Sequence, residues 1–259
     1  MLPFINFFGR QYPTIILLGL VGFFLAVFAA GFRSRRYNLM RSDPVYIGTF
    51  AGFGLLLGAS LLFAFTQMPR AWANRAYFFE YPMQFLIYLF GGLVFYGGLF
   101  GAVGGIFLYC KIMKQPFGTV MKLTVPVLPL AHAVMRIGCF AGGCCYGIEH
   151  RFGIAFTNSL GAPNGIPLLP VQLFEAAVNL IIFAVLWTFT RKDREWALAA
   201  AMYGLMYSFS RFWLEFLRGD AIRGFAFGLS TSQIISILVF LACLVYIYVT
   251  RMYRTGADA

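Results

Sequence analysis

Seven apolar runs, near 14–32, 45–66, 85–110, 117–137, 172–190, 196–214 and 229–250, are separated by short stretches rich in arginine, glycine and proline. About 20 apolar residues make one helical crossing of a bilayer. The pattern predicts an all-α integral membrane protein with about seven transmembrane helices. It reads as a single polytopic domain over 1–259, with 67–84 and 138–171 as outward-facing loops that form the site. No internal repeat or low-complexity tract interrupts it.

The basic residues give the expected orientation. Arg33, Arg35, Arg36 and Arg41 follow the first run, and Lys111, Lys114 and Lys122 lie about the junction of the third and fourth. Arg191, Lys192 and Arg194 follow the fifth run; Arg251 and Arg254 follow the last. With an odd number of crossings all of these fall on one side, and every lysine is among them. Cytoplasmic loops concentrate Lys and Arg, so the N-terminus is predicted outside and the C-terminus in the cytoplasm. The loops at 67–84, 138–171 and 215–228 then face outward. No cleavable signal peptide is expected, since only Arg10 precedes the first run and no small-residue cleavage site stands out.

Composition agrees with the pattern. Of 259 residues, 61% are hydrophobic and 11% charged, too apolar for a soluble domain to cover its surface. The net charge of +11 would raise the question of nucleic acid, but there is no nucleic-acid motif and no basic amphipathic helix. Orientation signals and anionic membrane lipids account for the excess.

Within this scaffold several positions break the apolar rule. The second run carries Gly52, Gly54, Gly58, Ala59 and Ser60, small residues that let helices approach. Met68 to Met83 mixes arginines with aromatic residues, which fits an interfacial helix and an aromatic belt equally well. Gly97, Gly101 and Gly105 form a GxxxGxxxG face in the third run, and Tyr96 places a phenol in mid-span that needs a hydrogen-bond partner. The fourth run contains Pro126 and Pro129, then His132 and Arg136 four residues apart on one helical face.

Arg136-Ile-Gly138-Cys139-Phe-Ala-Gly-Gly-Cys144-Cys145-Tyr146-Gly147 is the densest chemistry in the chain. An arginine at the mouth of an apolar run is costly unless it meets an anion. Cys139, Cys144 and Cys145 leave three readings. An outward loop in an oxidising compartment favours a disulfide with one thiol left over. Reactive thiol chemistry is open beside an arginine. His132 and His150 could complete a zinc set, but the spacing matches no zinc pattern, and no metal is assigned. Cys110 and Cys243 read as packing residues.

After an irregular tract at 158–167, Pro170-Val-Gln172-Leu-Phe-Glu175 reads as a helix start. Glu175 suits a helix N-terminus, or it pairs with Arg136 or Arg211. Tyr207, Arg211, Glu215 and Arg218 stand at i, i+4, i+8 and i+11, one face of a continuous helix. They read as an anion site whose arginines Glu215 sets in place.

Four motifs in order resemble the prolipoprotein diacylglyceryl transferase family: Tyr96-Gly97-Gly98-Leu, Arg136-Ile-Gly138-x-Phe…Gly147, Pro170-x-Gln172-Leu-Phe-Glu175, and Tyr207-x-x-x-Arg211-x-x-x-Glu215-x-x-Arg218. Three positions depart from the family's pattern. Tyr96 stands where histidine is typical, Cys139 where asparagine is typical, and Cys144 where an acidic residue is expected.

The resemblance implies an enzyme of the bacterial plasma (inner) membrane, its site facing the periplasm and the outer leaflet. The implied reaction moves a diacylglyceryl group from phosphatidylglycerol to the lipobox cysteine of a preprolipoprotein, with the signal peptide as acceptor partner and no cofactor. Arg136, Arg211, Tyr96, Tyr207 and Glu215 are the implied catalytic set. Arg136, Gly138, Arg218, Gly97 and Gly98 are the implied lipid-binding set. A related transferase with another acceptor and a non-catalytic lipid-binding subunit are the alternative readings.

Overall fold

The computed structural model describes residues 1–73, 79–92, 94–192, 195–220, 225–226 and 228–257. Arg194 and residues 74–78 of the expected 67–84 loop lie outside the described residues. The chain forms two compact units, one of Met1–Ala30 with Lys122–Ala259, the other of Gly31–Met121.

Five helical stretches are long and apolar enough to cross a membrane: Thr14–Tyr37, Asp43–Trp72, Phe117–Gly142, Val171–Phe189 and Thr231–Thr250. The chain is a helical integral membrane protein. Its helices carry large apolar side chains outward, as lipid-facing helices do: Phe24, Phe28 and Phe32, spaced four apart, are all exposed. In water such a stripe would be a liability; in a bilayer it is the solvent contact.

The 31–121 unit is built on α2 (Asp43–Ala73), with α3 (Pro82–Phe90) and α4 (Phe95–Ile112). The run at 85–110 is therefore two helices, not one. Gly91 ends α3, and the chain is extended at Val94 before α4 begins. The stretch 67–73, expected in an outward loop, instead continues α2.

Helices α2 and α4 meet along a glycine seam. A Cβ at Gly101 would collide with the Gly54 carbonyl, one at Gly97 with that of Gly58, and one at Gly105 with that of Phe50. Glycine is required here because backbone lies against backbone.

The other unit begins with a hairpin, β1 (Phe4–Phe7) and β2 (Arg10–Pro13), leading into α1 (Thr14–Arg33). Helix α5 (Phe117–Thr124) tightens into a 3₁₀ turn at Val125–Val127, where Pro126 cannot donate, before α6 (Leu128–Gly142). Helix α7 (Val171–Phe189) packs on α6, α8 (Trp196–Leu214) on α7, and α9 (Thr231–Ala257) on α8. Helix α8 carries Tyr203, Tyr207, Ser208, Ser210 and Arg211, and is not among the five stretches long and apolar enough to cross.

Between α6 and α7 the chain forms β3 (Glu149–Ala155) and β4 (Pro167–Leu168), paired antiparallel over a small core of Phe156, Ala162 and Leu168. The expected loop at 138–171 thus starts later, because α6 runs through Cys139 to Gly142. There Gly143, at φ 72, turns the chain and donates to the carbonyls of Cys139 and Phe140.

Candidate active site

Helix α7 inverts the usual polarity of a helix. Its buried positions include Gln172, Glu175 and Asn179, while Phe174, Leu180 and Ile181 are exposed. An apolar outer face meets lipid, so the polar stripe must turn inward and find partners. Pro170 precedes the first turn, as its missing N–H allows, and places Gln172 and Glu175 one turn apart.

Glu175 is the hub. Its Oε1 lies 2.9 Å from Arg136 Nη2 and accepts a 3.0 Å hydrogen bond from the Tyr207 hydroxyl. Its Oε2 lies 3.8 Å from Arg211 Nη1. Arg211 in turn pairs through Nη2 with Glu215 Oε2 at 2.9 Å and donates to Ser232 Oγ at 3.3 Å. Both carboxylates are almost fully shielded, with side-chain exposures of 3% for Glu175 and 2% for Glu215.

Two guanidiniums and two carboxylates cancel, so the cluster is buried without net charge. What it offers an anion is oriented N–H rather than excess positive charge. One such group stands out: Arg211 Nη1 is buried and makes no hydrogen bond.

His132 sits on the same face of α6 as Arg136, as its spacing predicts. Arg136 Nε donates to His132 Nε2 at 3.2 Å, so that ring nitrogen is unprotonated and its lone pair is occupied. The Nε2 atom is 3.7 Å from Glu175 Oε1, and the ring lies 5.2 Å from that of Tyr207, centroid to centroid. Histidine here orients Arg136.

Arg218 departs from the sequence reading. Helix α8 ends at Leu214, a 3₁₀ turn covers Glu215–Leu217, and Arg218 is extended. Residues 207, 211, 215 and 218 therefore do not share one continuous helical face. Arg218 forms a bidentate pair with Asp220, Nε at 3.0 Å and Nη2 at 2.6 Å. Its backbone pairs with Gly147, while Ile148 donates to Leu217 and Gly219 donates to Tyr146. This strand-like contact clamps the cysteine loop to the end of α8.

The loop is also held from α7. Gln172 Nε2 donates to the Cys144 carbonyl at 2.7 Å, and Gly147 donates to Leu169. Replacing Gln172 by Leu removes that bond and leaves a half-buried carbonyl unpaired, so a loss of about 1–3 kcal/mol is expected. Thermal unfolding of the purified variant checks it, and an unchanged midpoint would show that the loop holds without this tether.

Cys139, Cys144 and Cys145 are free thiols, with sulfur atoms within 4.8 Å of one another. Hydrogen bonding within the trio, Cys139 first and then Cys144, holds the Cys145 thiol below the ordinary thiol range, and Arg218 and Arg136 add to the effect. Among the described residues neither His132 nor His150 joins the sulfur group.

The remaining expected glycines have packing contacts. Gly138 faces α1, where a Cβ would come within 3.2 Å of Ile15 Cα and Leu18 Cβ. Tyr96, Gly97 and Gly98 belong to the 31–121 unit, where Gly97 serves the α2–α4 seam and Tyr96 is 42% exposed in the first turn of α4.

The sequence reading missed three participants: Asn179, whose Nδ2 donates to the Glu175 carbonyl at 2.8 Å, Ser232 and Asp220. Asn179 was legible as a polar residue four and seven positions after Glu175 and Gln172 in an apolar run. Ser232 and Asp220 carried no signal.

The family profile described as "Prolipoprotein diacylglyceryl transferase" matches residues 8–249. A phosphatidylglycerol--prolipoprotein diacylglyceryl transferase of Clostridium tetani (strain Massachusetts / E88) is 34% identical over 232 residues, covering 87% of each chain. A second, from Clostridium perfringens (strain 13 / Type A), is 36% identical over 187 residues, 71% of this chain and 70% of the relative. One from Bordetella parapertussis is 30% identical over 235 residues, 87% and 86% of the two chains. The profile spans nearly the whole chain and the relatives most of it, at 30–36% identity, so the chain belongs to the prolipoprotein diacylglyceryl transferase family.

Proposed function

We propose that this protein transfers the diacylglyceryl group of phosphatidylglycerol to a cysteine thiol of a prolipoprotein, and that the Arg136–Glu175–Arg211 network holds the lipid phosphate. Family membership supports the reaction. The observation that supports the place is Arg211 Nη1, a buried donor with no hydrogen bond. Leaving such a group unmet costs about 1–3 kcal/mol, and an anionic oxygen satisfies it.

The bonds balance as follows. The thiol sulfur attacks the glycerol carbon that bears the phosphate ester; a C–S bond forms, the C–O bond breaks, and glycerol phosphate leaves. Arg136 and Arg211 stabilise the charge that grows on the departing phosphate. Glu215 and Glu175 orient the two guanidiniums.

The thiol proton needs an acceptor. His132 Nε2 is occupied by Arg136. Tyr207 gives its own hydrogen to Glu175; in the proposed step its oxygen receives the thiol hydrogen as its own proton passes to the carboxylate. Tyr96 belongs to the implied catalytic set without an assigned step.

The acceptor is a lipobox cysteine behind a signal peptide, and the donor is a lipid of the outer leaflet. The enzyme sits in the bacterial inner membrane with seven crossings, N-terminus outside and C-terminus in the cytoplasm. The distribution of lysine and arginine supports that orientation.

The test is a transfer assay with purified protein, phosphatidylglycerol and a synthetic lipobox peptide, read by mass spectrometry. The peptide cysteine should gain a diacylglyceryl mass. Tyr207→Phe should slow the reaction by about 10²–10⁴-fold, the usual worth of a positioned proton acceptor. No mass gain with wild-type protein that still binds the lipid would refute the transferase reading. A Tyr207→Phe rate within a factor of two would remove only the proton route.

A further inference from the structure

Three sulfurs that the transfer chemistry does not use converge at the C-terminal end of α6. Cys139 is buried in its last turn, Cys144 and Cys145 follow the Gly143 bend, and the three sulfur atoms lie within 4.8 Å of one another. Cys145, directly after Cys144, adopts left-handed backbone, φ 56. For a residue with a Cβ this costs about 1–2 kcal/mol. It persists where the surroundings over-determine it, and such positions cluster at functional sites. Here the surroundings are the Gln172 bond to the Cys144 carbonyl and the backbone bonds of Tyr146 and Gly147 to Gly219 and Leu169.

We propose that Cys139, Cys144 and Cys145 form a three-coordinate thiolate site for a soft cation, Cu(I) foremost. An all-sulfur set selects Cu(I) and excludes the hard cations. Zinc structural sites take four ligands, and among the described residues no histidine or carboxylate joins the sulfurs. His132 is engaged by Arg136, and His150 Nδ1 accepts from the Phe152 backbone at 3.3 Å. Metal–sulfur bonds of about 2.3 Å would set the sulfurs about 4 Å apart around a trigonal ion, within about 1 Å of where they stand. A disulfide would use two sulfurs and leave the third without a purpose at the same centre.

The experiment offers Cu(I), as its bicinchoninate complex, to the full-length protein in detergent after reduction with a phosphine. One Cu(I) per chain should be withdrawn from the chelator. Cys139→Ser and Cys145→Ser should each weaken binding at least tenfold, and Cys110→Ser and Cys243→Ser should leave it unchanged. Unfolding midpoints confirm that the variants are folded; should Cys139→Ser not fold, Cys144→Ser carries the same test. Three results would overturn the proposal: no copper withdrawn, equal withdrawal by Cys145→Ser, or a disulfide within the trio found by alkylating thiols in intact cells before lysis. None of these outcomes bears on lipid transfer, which the peptide assay reads separately.

Discussion

Arg136→Ala is expected to abolish transfer, by at least about 10²–10³-fold, the cost of removing one donor from a developing oxyanion. The variant should also be less stable. Glu175 is almost wholly shielded, and Arg136 Nη2 at 2.9 Å is its nearest cation, Arg211 standing at 3.8 Å. Removing one partner of a buried ion pair costs about 3–5 kcal/mol, because the other charge stays buried. The two losses have different causes and separate in a double variant. Arg136→Ala with Glu175→Gln removes the stranded charge, so most of the stability should return while transfer stays absent. Unfolding midpoints and the peptide assay, run on wild type, both single variants and the double variant, decide it. If the double variant regains both, Arg136 acts only by keeping the fold intact. If Arg136→Ala transfers at a near-normal rate, the phosphate is held elsewhere.

The second large effect concerns two glycines three residues apart on α4. Gly101→Ala should destabilise the protein by about 3 kcal/mol or more, and Gly104→Ala should leave it unchanged or stabilise it by up to about 1 kcal/mol. The added methyl is the same, and the surroundings decide the sign. At Gly101 it would overlap the Gly54 carbonyl and approach Gly58 Cα to 3.0 Å, backbone atoms that cannot rotate away. At Gly104 it would meet nothing within 4 Å, so the better helix propensity of alanine is all that remains. Thermal unfolding of both single variants checks the pair. Equal midpoints would mean that α2 and α4 separate at little cost, contrary to a seam built of backbone contact.

Much of the site could be read from residue types and spacing. Arg136, Glu175, Tyr207, Arg211 and Glu215 all break apolar runs, and a polar group inside a membrane helix must be paired. The partner of each was not legible, since pairing depends on which helices are neighbours. In the sequence Glu175 fits both a helix start and an ion pair. Only the packing of α6, α7 and α8 puts its two oxygens between two arginines. The i+11 spacing puts Arg218 on the Arg211 face of a continuous helix. The chain leaves the helix at Glu215, and Asp220 takes the guanidinium instead.

By itself the sequence determined that this is a helical membrane protein of the transferase family, and which polar residues it buries. The length of the apolar runs follows from the bilayer's thickness, and the cost of burying charge marks functional positions without reference to neighbours. Tertiary structure alone decided three things: that Glu175 is the hub, that the run at 85–110 breaks near Gly91, and that three cysteines share one centre. Each depends on contacts between residues distant in sequence or on a single backbone angle, such as that of Cys145, and neither is carried by hydropathy or spacing.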